Sequence, residues 1–134
     1  MVRFISAALL LAGLPLLVGC GNDSGLYEVE GTVTHNGQPV PKLLVVFRPD
    51  DLTTGAESMG ETDEQGNFVM KVGRTEGVFP GPHTVYVDDP AALQGGSSSD
   101  DPGYQEVVKK YSADASDYRI TIDGDTYDLE LKLD

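Results

Sequence analysis

A single cysteine, Cys20, is all the thiol chemistry in this 134-residue sequence. That excludes an intramolecular disulfide framework, so any domain here is held by its core alone. Tryptophan is absent, which removes the platform of exposed indoles expected of a sugar-binding surface. Two histidines, His35 and His83, fall short of the three or four ligands a zinc site takes. No G-x-S-x-G elbow and no phosphate-loop pattern occurs, and Ser97 to Ser99 in "GGSSSDD" read as a flexible loop. Cations are scarce as well: 9 Lys+Arg stand against 22 Asp+Glu, a formal net charge of −13. Acidity spread along the chain disfavours nucleic acid and anionic headgroups as partners. It suits solubility outside the cytoplasm, with divalent-cation binding as the sharper alternative. Solenoid repeats and long helical periodicity are also missing.

What is present begins with an apolar run. Arg3 precedes Phe4 to Val18, a stretch too short for a comfortable membrane span and of the length of a signal-peptide core. Cys20 follows it, and a lone cysteine there could be a packed thiol, a reactive one or an attachment point. "Leu17-Val18-Gly19-Cys20" resembles the lipobox of bacterial lipoproteins. The resemblance implies cleavage before Cys20, a diacylglycerol thioether on its sulfur and an acylated amine. The chain then divides into a signal peptide (1–19), a lipidated cysteine with a short tether (20–26) and a domain (27–134). By analogy with better-known bacteria, Gly21 in place of Asp favours the outer membrane over the inner.

From residue 26 onward the signal is period-two alternation broken by Gly, Pro, Asn and Asp. "YEVEGTVTHNGQPV" puts Tyr27, Val29 and Val33 on one face, and Asn36-Gly37 supplies a tight turn with positive φ. "KLLVVFRP" is more continuous, as in a strand central to its sheet or covered on both sides, and Pro49 ends it. "ESMGETD", "FVMKV", "HTVYVDD", "YRITI" and "TYDLELKL" follow, the last with Tyr127, Leu129, Leu131 and Leu133 on one face. "YQEVVKKYS" is short and predicts at most a helical turn. The pattern predicts an all-β domain, a seven-stranded antiparallel β-sandwich.

The order of motifs resembles a family. "VEGTVTHNGQPVPKLLVVFRPD", "ETDEQGNFVM" and "VFPGPHTVYV" are similar to the opening strands and turns of carboxypeptidase-regulatory-like, transthyretin-like domains. "KKYSADASDYRITI" before "DLELKL" resembles small planctomycete lipoproteins of this type. The resemblance implies a prealbumin-like sandwich of the Ig-like class, and the family name carries no peptidase activity. Transthyretin-like folds include a purine-catabolism hydrolase whose chain closes on Tyr-Arg-Gly-Ser. Here the sequence reads "LKLD", so that enzyme is not implied.

Asp123-Gly124-Asp125 with Asp128 has the carboxylate density of a calcium site, since Ca²⁺ takes six to eight oxygens, but it also makes a good hairpin turn. If strands alternate in direction, the turns at 35–38 and 63–67 share one end of the sandwich with the connection 88–117. The turns near 50–56, 73–81 and 123–125 share the other, the end the lipid would hold toward the membrane. Tyr104 and Tyr111 on the long connection are then the candidates for a partner-facing surface. The expected function is a lipid-anchored, non-catalytic envelope module that binds or builds, with a protein or glycan partner. The alternatives are a carbohydrate- or cell-wall-binding module and a calcium-dependent adhesion module.

Overall fold

The structure, a computed structural model, describes residues 24–134. The expected signal peptide, Cys20 and the start of the expected tether lie outside the described residues. Ten strand segments form two sheets. β1 (Val29–His35), β2 (Gln38–Pro39), β5 (Asn67–Val69) and β10 (Thr126–Lys132) make the first. In the second the order is β7 (Thr75–Glu76), β6 (Lys71–Val72), β4 (Ser58–Glu61), β3 (Leu44–Pro49), β8 (Gly81–Asp88), β9 (Tyr118–Ile122). The described residues are therefore mostly β, in two largely antiparallel sheets. β2, β6 and β7 are only two residues long.

Alternation sets the inward face. Val29, Gly31 and Val33 of β1 are buried, and Leu131 and Leu133 close the same core from the far end of the chain. Asn36 (φ 49°) and Gly37 (φ 78°) make the turn that reverses β1 into β2. The Asp63 Oδ1 accepts hydrogen bonds from the Gln65 and Asn67 amides, both at 2.9 Å, and fixes the turn into β5. Phe47 packs edge-on against Phe68 across the two sheets, ring centroids 6.4 Å apart.

The apolar run of β3 has the first of the causes the sequence left open. β3 is central in its sheet, flanked by β4 and β8, and on its outer face only Val46 is fully buried. Val45 and Phe47 enter the core. Val46 is buried without joining that cluster, paired with Tyr86 on the outer face. There the Arg48 guanidinium stacks over Tyr86 at 4.5 Å, and its Nε donates to Glu57 at 3.0 Å.

Two features depart from expectation. β1 and β10 run parallel, from Val29 against Thr126 to Thr34 against Lys132. The connection 123–125 is therefore no hairpin; it carries the chain from β9 in one sheet to β10 in the other. The segment "FVMKV" is also not one strand. It leaves the first sheet after Val69 and joins the second at Lys71, with Met70 fully buried at the switch.

The long polar connection contains α1 (Pro90–Leu93) and α2 (Pro102–Lys110). Asp101 caps α2 by accepting from the Tyr104 amide at 2.8 Å, Pro102 occupies its first turn, and Lys109 and Lys110 lie in its last. Tyr104, Val107 and Tyr111 are spaced as one helical stripe, and all three join the core. The two tyrosines are thus not a partner-facing surface: they are 6% and 8% exposed. Their hydroxyls donate to the Lys42 carbonyl at 2.8 Å and the Asp134 carbonyl at 2.7 Å. A phenol at this spacing closes a core as readily as it faces solvent, because its ring is buried and its hydroxyl needs only one acceptor.

His83 is fully buried beside Phe47, with its Nδ1–H donating to the Gly81 carbonyl at 2.9 Å. Burial lowers its pKa, so the folded protein holds it neutral while the unfolded chain would take up a proton near pH 6.5. The contribution of this residue is whole above that pH. Below it the unfolded state binds more protons, and stability falls by up to about 1.4 kcal/mol per pH unit until the folded pKa is reached. Chemical denaturation of the wild type and His83→Leu between pH 7 and pH 5 measures this. The variant should lose less stability than the wild type, and equal slopes would remove the explanation.

Candidate functional site

The two ends of the sandwich carry different chemistry. At one end the β1–β2 turn, the 62–66 turn and α2 meet: the Val40 amide donates to Val33, the Lys42 amide to Thr62, and Glu106 lies 3.7 Å from His35. At the other, Tyr27 pairs with Val78 and the Asp50 amide donates to Pro82. There the Asp125 Oδ1 also accepts from the Glu28 amide at 2.9 Å. The described chain enters at this second end. Chain direction alone located these turns, since each is fixed by the strands on either side of it.

Among the described residues, two concavities stand out. The larger, about 1190 Å³, is a groove across the outer faces of both sheets. It exists because the chain switches sheets at Met70 and because residue 60 is glycine. A Cβ on Gly60 would come within 2.6 Å of the Val69 carbonyl oxygen, so only glycine lets β4 lie against β5 and makes the two outer faces continuous. Met59, Val69 and Tyr127 line the groove with their side chains in water, 45%, 37% and 57% exposed. Around them stand the carboxylates of Glu30, Glu57, Glu61, Asp63, Asp128 and Glu130, with Lys71 and Lys132 as the lining cations. The Tyr127 hydroxyl donates to Glu28 at 2.7 Å, and that carboxylate pushes the phenol pKa up to about 12.

The smaller cavity, about 700 Å³, lies at the end away from the chain entry, under the 89–101 segment. Its lining gathers residues the sequence left apart: Asp89, Ser97 to Ser99, Asp101 and Tyr104 from the connection, with His35 and Glu61. His35 is held rather than presented. Its Nδ1–H donates to the Leu133 carbonyl at 2.6 Å, and its Nε2 accepts from the Asn36 side-chain Nδ2 at 3.1 Å. Both ring nitrogens are engaged, so the imidazole offers these serines no free base.

Of the calcium candidates, Asp125 spends an oxygen on Glu28, and Asp123 and Asp128 are exposed. Among the described residues no three His, Cys, Asp or Glu side chains converge to hold a metal ion. Carboxylate density along a chain became carboxylates dispersed around a turn. His35 and His83 lie at opposite ends of the sandwich. No described helix is long and apolar enough to cross a membrane.

The fold and these concavities define a two-sheet β domain with an acid-rimmed groove and a polar end cavity. Compared with models of known families, with curated proteins and with solved structures, the chain matches none of them.

Proposed function

We propose that this protein is a lipid-anchored, non-catalytic binding module of the bacterial envelope, with a transthyretin-like sandwich carried on an acylated Cys20. The observation that supports binding over a purely structural role is the groove. Exposed apolar side chains inside a predominantly acidic rim are the composition of a recognition surface, with an apolar centre and a polar edge. Six rim carboxylates stand against Lys71, Lys132 and the Arg48 that pairs with Glu57, and this acidic excess favours a cationic partner and speeds its encounter. The partner that fits is a lysine- or arginine-rich segment of another envelope protein.

A capture experiment tests this reading. The lipidated chain should retain a basic envelope protein from its own membranes, and retention should fall at least about tenfold for Met59→Lys with Val69→Lys, two residues already in contact with water. Thermal melts should stay within a few degrees of the wild type, as expected of surface changes. Equal retention by the double variant would eliminate the groove as the binding face. Retention that is insensitive to salt would eliminate the charge argument.

A further inference from the structure

Asp89 is the least explained ionisable group among the described residues. It directly follows β8, is only 6% exposed and caps α1 through Oδ1, which accepts from the Ala91 amide at 3.0 Å. The other oxygen, Oδ2, is buried and has no hydrogen-bond partner among the described residues. Buried carboxylate oxygens are rarely left so, because an unpaired one loses its hydration for nothing in return. Burial alone would push the Asp89 pKa up. The nearby Ser98 and Tyr104 hydroxyls and the amides of Ala91 and Ala92 outweigh it, and the carboxyl sits below its ordinary value. Asp89 is therefore a buried anion lining a cavity, with one oxygen that has hydroxyls nearby but no formed hydrogen bond.

The rest of that cavity says what would satisfy the oxygen. Its other formal charges are mostly negative (Glu61, Glu64 and Asp101), with Lys42 the one lysine or arginine in the lining and already 3.8 Å from Glu64. An anion is excluded by that field. A hard metal ion would need six or more oxygens, and no three metal-ligating side chains converge here among the described residues. Pro39, Val40, Pro41, Pro90 and Ala91 give the cavity apolar wall, and Ser97 to Ser99 give it hydroxyls. About 700 Å³ lies within the range of small-molecule sites, which combine apolar walls with a few placed polar groups.

We propose that the end cavity binds a small hydroxylated organic molecule carrying a primary ammonium, with the ammonium on Asp89 and the hydroxyls on the Ser97–Ser99 segment. An ammonium brings three donors and one positive charge, which answers both the unpartnered oxygen and the acidic field. The site shares Glu61 with the groove, but none of the residues assigned here to the ammonium and the hydroxyls lines the groove.

The test uses the full chain in detergent and a matched pair of probes, glucosamine and N-acetylglucosamine. They share a ring, but the second carries its nitrogen as a neutral amide. Calorimetric titration should show saturable glucosamine binding, with N-acetylglucosamine at least about tenfold weaker, the size expected for a lost charge-assisted hydrogen bond. Asp89→Asn, which keeps the capping oxygen, should weaken glucosamine by a similar factor. Glu61→Gln with Glu64→Gln should weaken it by about two- to fivefold through the field alone. These two residues cap no helix, so the double variant keeps the test alive if Asp89→Asn melts early. Equal affinity for the two sugars, no saturable binding of glucosamine, or unchanged affinity in both variants would each overturn the proposal. A Met59→Lys, Val69→Lys chain should bind glucosamine normally, since neither residue lines the end cavity, which separates this result from that of the groove.

Discussion

Gly31→Ala is expected to cost at least about 3 kcal/mol of folding stability, the upper range for forcing extra volume into a packed interior. The residue sits where three strands meet: β1 pairs here with Phe68 of β5 and with Leu129 of β10, just past a register shift after Val29. A Cβ would lie 2.2 Å from the Leu129 carbonyl oxygen and 2.8 Å from the Phe68 ring. The ring could turn aside, but the carbonyl belongs to the ladder and moves only if β10 moves. For a domain of this size the loss should lower the melting temperature by about 12 °C or more. Gly124→Ala is the control. It has no atom within 4 Å of its Cβ position, and its melt should be unchanged within about 0.5 kcal/mol. A Gly31→Ala chain that melts with the wild type would mean that the close β1–β10 pairing is wrong.

Cys20→Ala should move the protein from the membrane fraction to the soluble one, or stop its processing so that the longer precursor accumulates. The reasoning is additive in chain length. A single myristoyl chain holds a protein only marginally, with a constant of about 10⁴ M⁻¹, whereas each further buried methylene adds about 0.8 kcal/mol. Two or three acyl chains on one residue therefore anchor durably, and nothing else in this acidic domain would replace them. Fractionation and the mobility of the band on a gel read both outcomes. Unchanged size and unchanged membrane retention would remove the lipid anchor, and with it the envelope location.

Much of the fold was legible because it is local. The Asn36-Gly37 turn, the Asp63 turn and the buried alternation of β1 each depend on neighbours within a few residues, where side-chain period and turn chemistry decide. The parallel pairing of β1 with β10 was not legible. Period-two alternation says which face of a strand is buried and nothing about which strand lies beside it. Tyr104, Val107 and Tyr111 did carry a helical stripe, but a polar stretch between strands reads as surface until the open end of the sandwich is seen to need a lid.

The sites were less legible than the fold, for the same reason. Gly60 was the one available signal for the groove, since an isolated glycine in a strand pattern marks close backbone approach. Met59 and Val69 become a surface only when β4 and β5, from different sheets, are laid together. Asp89 looked like one acid among twenty-two. Only burial and the absence of a partner for one of its oxygens distinguish it.

The parallel pairing of β1 and β10 also determines how the domain bears load. Val29 and Thr126 sit at the end where the described chain enters, and Thr34 and Lys132 at the opposite end. A pull between residue 24 and residue 134 therefore drags the two strands past each other along their length. Their ladder of hydrogen bonds must fail together in shear rather than unzip one rung at a time. A domain tethered on one side and tugged from the other would hold as a mechanical clamp, with its first and last strands as the two jaws.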